Sequence, residues 1–286
     1  MRALAQLVAH RRRVVGDKVR ITHRLTSTLK NSVPQALQWF QDKDTLLFCD
    51  FLSRWPTLKA VQLARRSTLE AFLREHHVRS ADVITQRLDA IKATIPLTTD
   101  EGIITPNALL VQALVSQLRA ILHAIQDFDK AIAQRAQSHP DFPLFQTLPG
   151  AGPVFAPRLL VAFGAQRNRY ASASELQQFA GIAPVTERSG TKCWVHWRFQ
   201  CPTCLRQTFV EWAAESIRHA FWAQVYYQQQ REKSKAHQAA VRALAFKWIH
   251  ILFRCWQDRN PYDETVYLNA LHSRGASLIQ NLGARS

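Results

Sequence analysis

Apolar residues recur at helical spacing along most of this chain, and the interruptions divide it. Over residues 2–30, Leu4, Leu7, Val8, Val14, Val15, Val19, Leu25 and Leu29 fall near a 3.6-residue period, which predicts one long amphipathic helix. From Pro34 to Pro96 the pattern shortens into small helices punctuated by Pro34, Pro56 and Pro96. The most regular stretch follows: Val111, Leu114, Leu118, Ile121, Ile125, Phe128 and Ile132 advance by 3, 4, 3, 4, 3 and 4, an a/d heptad seam. Such a seam suits a hairpin within the chain or a coiled coil between subunits. The preceding LTTDEGIITPN reads as a hinge, and QSHPDFP at 137–143 ends the helix.

Beyond that break, Ser172 with Glu175 three residues on predicts a capping box, and Gly181 the C-terminal end of the same short helix. IAPVTERSGTK reads as an exposed loop, and CWVHWRF as a strand. Long helices are expected over 202–231 and 236–259, with Pro261 ending the second. The expected organisation is a basic helical region over 1–100, a coiled-coil segment over 101–143, a helix-hairpin-helix domain over 144–260 and a tail over 261–286. The last dozen residues, bearing Gly and Ser, are expected to fray. The fold class is mainly α, with at most a small β element.

Charge turns this helical pattern toward a partner. The chain has 286 residues with 37 Lys and Arg against 21 Asp and Glu, a formal charge of +16, and 47% apolar residues are ample for a core. A surface so basic attracts polyanions, and nucleic acid heads the list. No run of some 18 uninterrupted apolar residues signals a membrane span, and the N-terminal charges follow the apolar residues, opposite to a secretory signal. A cytoplasmic protein with no membrane partner is expected. Five cysteines, an odd number, argue for reduced thiols, with Cys49 and Cys255 reading as core residues. On the first helix, Arg11, Arg12, Arg13, Lys18, Arg20, Arg24 and Lys30 form a basic stripe with only Asp17 to offset it. It is either a solvated face or a contact to a phosphate backbone, and so many cations favour the contact.

LPGAGPVFAPRLL holds Gly150 and Gly152 ahead of an apolar helix. A nucleotide P-loop needs Lys and Ser or Thr after the second glycine, where this chain has Pro153, Val154 and Phe155. A dinucleotide fold needs a third glycine after a buried strand, and neither is present. What fits is a helix-hairpin-helix turn whose bare amides meet a phosphate without reading bases, though an ordinary αα-hairpin has the same pattern. Arg158 in the second helix would add a cation.

Three sets of residues are candidates for chemistry. Asp42, Asp44 and Asp50 are the densest acids, and read as surface carboxylates because no second acidic cluster accompanies them. Cys193, His196, Cys201 and Cys204 have pairwise zinc spacing, but the gap between pairs holds Trp197, Arg198 and Phe199; a zinc site and packed thiols both remain open. Ser189, flanked by Arg188, Gly190 and Lys192, is chemically able to attack a phosphodiester beside neutralising cations, yet serine beside glycine is also an ordinary turn. Trp194, Trp197 and Arg198 could stack on bases, as could Trp212, Trp222, Tyr226 and Tyr227, whose helical spacing suits a core better.

LPGAGPVFAPRLLVAFG, RYASASELQQFAGIAPVTERSG, LRQTFVEWAAESI and AVRALAFKWIHILFRCW, in that order and spacing, resemble the C-terminal domain of bacterial insertion-sequence transposases of the DEDD type, family one-ten, RNA-guided serine recombinases. The resemblance covers residues 144–260, and HRRRVVGDKVRITHRLTSTLKN resembles the helix after that family's RuvC-like domain. It implies that Ser189 bonds covalently to a DNA phosphate and that the heptad helix assembles a homo-oligomer. The residues expected to contact DNA are Gly150, Gly152, Arg158, Arg188, Lys192, Arg198, Arg11, Arg12, Arg13, Arg20 and Arg24, and the resemblance adds a guide RNA as a second partner. The four acids with which the family holds magnesium would lie N-terminal to this chain, so none of its own residues is assigned to a metal. The chain is expected to be a truncated form, with little recombination alone. The alternative is a non-catalytic DNA- or RNA-binding protein derived from a transposase. Where many relatives have a basic turn after the serine motif, this chain has FQCPTC.

Overall fold

The computed structural model describes residues 1–196 and 198–273. The mainly-α expectation holds: helices dominate, and the strands among the described residues form one two-stranded antiparallel sheet. The helices are α1 (Arg2–Lys30), α2 (Ala36–Trp39), α3 (Leu46–Arg54), α4 (Leu58–Leu63), α5 (Arg66–Glu75), α6 (Ala81–Ala93) and α7 (Glu101–Gln137). Then come α8 (Phe142–Gln146), α9 (Gly152–Phe163), α10 (Ala173–Phe179), strands β1 (Val185–Ser189) and β2 (Lys192–His196), α11 (Thr203–Ser216), α12 (Phe221–Glu232), α13 (His237–Asp258) and α14 (Glu264–Ser273). The chain divides into two compact units, His10–Phe128 and the remainder, Met1–Ala9 with Asp129–Ser286. Most of α1 belongs to the first, and α7 crosses from one into the other. The frayed end expected for the last dozen residues lies outside the described residues.

In the unit His10–Phe128, short helices pack around an aromatic cluster. Phe51 meets Phe40 at 4.7 Å and Trp55 at 5.3 Å, and Trp55 meets Phe72 edge-on at 5.1 Å. Thr45, Thr57 and Ser80 each cap a helix by accepting an amide hydrogen bond, Thr57 directly after Pro56, one of the prolines that mark breaks. Val111, Leu114 and Leu118 of the heptad seam are buried in this core with Val115. That part of the seam therefore faces its own chain, while Ile121, Ile125 and Phe128 are half-buried.

Of the hinge expected at LTTDEGIITPN, residues 97–100 lie outside a helix, but α7 already starts at Glu101, with Pro106 inside it. Asp100 overrides the proline: its carboxylate accepts from the Gly102 amide at 2.8 Å and its carbonyl accepts from Ile103 and Ile104. So close to the start, Pro106 removes a single helical hydrogen bond. By length and composition α7 is apolar enough to cross a bilayer, although charges interrupt it; its buried seam residues are accounted for by the core of the unit.

In the other unit α13 is central, packing against α10, α11 and α12, and α9 packs against α11. Trp248 lies 4.8 Å from Trp212 and 4.6 Å from Trp222, ring centre to ring centre. Each buried indole N–H is satisfied: Trp248 donates to the Ser216 hydroxyl, Trp212 to the Pro149 carbonyl, Trp222 to Tyr262 and Trp256 to the Gly164 carbonyl. Trp212 and Trp222 are thus core residues, and the base-stacking alternative for them falls away. The helix expected over 202–231 breaks at 217–220, where Ala220 is extended. The break lets Trp212 and Trp222 both reach Trp248, a demand of packing that carries no local sequence signal. The box at Ser172 forms as expected, with its hydroxyl accepting from the Glu175 amide and Glu175 accepting from the Ala171 amide. Gly181 follows at φ +69°, with Ile182 donating to the Gln177 carbonyl in a Schellman turn.

Candidate nucleic-acid interface

The glycine bend joins α8, only five residues long, to α9. Gly150 has φ +70° and Gly152 φ +49°, left-handed values that cost a residue with a Cβ. They differ in surroundings. A Cβ on Gly150 would come within 2.9 Å of the His219 ring and 3.1 Å of the Glu215 side chain, whereas one on Gly152 would meet nothing within 4 Å. The bend therefore clasps the end of α11 through Gly150, held further by the Trp212 bond to Pro149, and turns Gly152, Pro153 and Val154 to solvent. The amides of Gly152 and Val154 belong to the first turn of α9, whose N–H groups an α-helix leaves without helical acceptors and beside the positive end of its dipole.

Arg158, expected beside that bend as a phosphate ligand, is committed elsewhere. Its guanidinium bonds Glu211 at 2.8 Å and Thr208 at 3.2 Å and stacks over Phe155, tying α9 to α11.

The loop expected at IAPVTERSGTK is a β-hairpin. Val185 pairs with His196, Thr186 with Val195, Glu187 with Trp194, Arg188 with Cys193 and Ser189 with Lys192, leaving Gly190 and Thr191 as the turn. Gly190 has φ +59° and Thr191 does not share it, the pattern of a II′ turn, in which glycine holds the first central place. Strand alternation then sorts the site. Ser189 and Lys192 face each other on one side, with Glu187 and Trp194 next along it; Arg188 and Cys193 occupy the opposite side. The serine thus has one directly opposed cation, not the two flanking ones that the sequence suggests. Ser189, Arg188 and Lys192 are all exposed, and Ser189 makes no side-chain hydrogen bond among the described residues. The Glu187 carboxylate is 3.4 Å from His196.

Cys193, His196, Cys201 and Cys204 do not converge: among the described residues no three His, Cys, Asp or Glu side chains gather at metal-binding spacing. Cys201 instead packs under Gly181 and donates to the Arg198 carbonyl at 3.7 Å. Arg198 is half-buried. The early acids are occupied too, Asp44 by Lys18 at 2.5 Å and Asp50 by Arg119 and His76. Among the described residues no cluster of donors gathers that would hold the magnesium the resemblance implies. Cys49 is buried as expected, and burial pushes its thiol up to about 11. Trp197 lies outside the described residues. Phe199, passed over in sequence, is 84% exposed; an aromatic residue in a short Gln- and Pro-bearing connection was the available signal.

In the unit His10–Phe128, α1 carries Arg13, Asp17, Arg20 and Arg24 at helical steps of 4, 3 and 4, one face about 16 Å long. Arg13, Arg20 and Arg24 are exposed, Arg20 paired with Asp17; Arg11 and Arg12 are half-buried.

A known family matches part of the unit that holds the glycine bend and the hairpin, and relatives match nearly the whole chain. Residues 143–228 match the model of the Transposase IS116/IS110/IS902 family, a segment that holds the glycine bend, the hairpin and α11. The chain is 28% identical over 267 residues to a Streptomyces coelicolor protein assigned as the mini-circle transposase for IS117, covering 92% of this chain and 64% of that protein. It is 27% identical over 264 residues to an uncharacterized 42 kDa protein of insertion element IS900 in Mycobacterium paratuberculosis, covering 90% and 63%. To an uncharacterized 44.8 kDa protein of insertion element IS116 in Streptomyces clavuligerus it is 25% identical, covering 91% and 64%. The chain thus spans less than two thirds of the length of these relatives, and it is similar over nearly all its own length to proteins of insertion elements.

Proposed function

We propose that this chain acts in insertion-element transposition by holding DNA at the element's ends. The open amides of Gly152 and Val154, with Arg188, Lys192 and the α1 stripe, contact phosphates, and Ser189 supplies a nucleophilic hydroxyl. In the chemical step the Ser189 Oγ would bond to a phosphorus as one P–O bond to a sugar oxygen breaks, that oxygen leaving with a proton while Lys192 offsets charge on the phosphate. No step assigned to this chain runs through a metal.

One observation carries the reading: the segment matching the transposase family is the one in which Ser189 and Lys192 stand opposed at an uncovered hairpin tip. A second reading, binding without chemistry, is favoured by the same hydroxyl's lack of a hydrogen-bonded base among the described residues.

Two measurements separate them. Labelled terminal DNA should bind at low ionic strength and be released as salt rises; no association would end both readings. Covalent protein–DNA adducts on denaturing gels should vanish in Ser189→Ala. Adducts that persist remove Ser189 from the mechanism, and their absence from the wild type leaves the binding reading.

A further inference from the structure

Among the described tryptophans, Trp194 is the exception. Trp39 and Trp55 in one unit, and Trp212, Trp222, Trp248 and Trp256 in the other, are no more than 7% exposed, while Trp194 is 45% exposed. Its neighbours Val195, at 67%, and Phe199, at 84%, are also uncovered. Every residue of the hairpin except the half-buried Val185 is exposed, so neither face is covered by the rest of its unit. Two strands alone in water are marginal, and leaving an indole and a valine on them forgoes burial that the other tryptophans obtain.

Charge indicates what would cover the ring. Lys192 shares the face of Trp194, and Arg188 projects from the reverse of the same ribbon. The carboxylate opposite Trp194, that of Glu187, lies 3.4 Å from the His196 ring. An aromatic face beside cations is the combination that binds a polynucleotide strand by stacking and phosphate contact together. Register adds a length. Trp194 lies two residues from Lys192 along β2 and diagonal to Ser189, same-face separations of roughly 7 Å. That is comparable to the distance from a base to the neighbouring phosphate of an extended strand.

We propose that Trp194 stacks on an unpaired base and thereby holds the adjoining phosphate over Lys192 and Ser189, so that the hairpin grips single-stranded rather than duplex nucleic acid. In a duplex each base face is covered by the next base pair, and Trp194 would have no ring to meet. The inference rests on the nucleic-acid reading above and adds which form of the polymer the hairpin takes. DNA and RNA share the chemistry invoked, an unpaired base joined to a phosphate.

The test is fluorescence anisotropy with labelled dT and rU oligomers of about 16 nucleotides and a duplex of equal length. The wild type, Trp194→Ala and Trp194→Phe are compared in the full chain. Trp194→Ala should weaken binding of the better single strand about tenfold while changing duplex affinity less than about twofold, and Trp194→Phe should recover most of the loss. Whichever oligomer binds more tightly identifies the source of the strand. Equal losses on single strand and duplex, or no loss on either oligomer, overturn the inference and leave duplex binding through the bend and α1 standing. Failure of the wild type to bind all three probes overturns both.

Discussion

The tryptophans of α11, α12 and α13 and the one on β2 belong to the same compact unit and meet opposite fates. Trp248 lies within 5 Å of both Trp212 and Trp222, ring centre to ring centre, and each of the three places its N–H on an oxygen. Among the described residues Trp194 makes no comparable contact, and it stands beside Lys192 and the exposed serine. A buried aromatic residue with a satisfied polar end holds the fold together. An uncovered one among cations is available to a ligand, so substitutions in the two regions should separate stability from binding.

The largest effect is expected in the core. Trp248→Ala should lower unfolding free energy by about 3–5 kcal/mol, measured by urea denaturation, because it opens a cavity and removes the donor to the Ser216 hydroxyl, which keeps its own bond to the Ala213 carbonyl. Arg167→Ala comes next. The guanidinium makes two bonds to Asp141, at 2.8 and 2.7 Å, and lies over Trp256, with both charged groups mostly buried. Losing it leaves a carboxylate without its partner and should cost about 3 kcal/mol. This pair also fixes a pH dependence. The Arg167 hydrogen bond holds the Asp141 carboxyl below its ordinary value, against burial that pulls it up. Its contribution is therefore full above the unfolded carboxylate pKa of about 4 and is lost as pH falls through the lower folded value. The acid-side decline in stability should be shallower in Arg167→Ala.

Between core and tip lies the bend, where the two glycines sharpen the comparison. Gly150→Ala should cost about 2 kcal/mol, from its left-handed backbone and its contact with His219 and Glu215. Gly152→Ala, with open space, should cost about 1 kcal/mol from backbone strain alone. A larger cost at Gly152 than at Gly150 would contradict the placement of the bend. Smallest of all, Trp194→Ala should move stability by no more than about 0.5 kcal/mol, as surface substitutions do.

The long helices over 2–30 and 236–259 were legible because burial imposes a helical period, and the short helix at Ser172 because its cap and Gly181 are local chemistry. The hairpin was half legible. Alternation marks a strand only when one face is buried, and VTERS is exposed along nearly its whole length, so the sequence had little to display beyond Gly190 in a two-residue turn. Once that turn is recognised, the opposition of Ser189 and Lys192 follows from counting. The commitment of Arg158 to Glu211 was invisible, since it joins residues far apart in sequence. The start of α7 was misread because Pro106 is a stronger signal in sequence than the Asp100 cap that overrules it.

Salt-dependent binding tests most directly whether the uncovered region is a phosphate-binding surface. Anisotropy titrations of labelled nucleic acid across ionic strength should show that replacing Arg188 and Lys192 together by Ala reduces the slope of log affinity against log salt by roughly 1.4 to 1.8, without shifting the unfolding midpoint. An unchanged slope, or a wild type that fails to bind at low salt, would contradict the account.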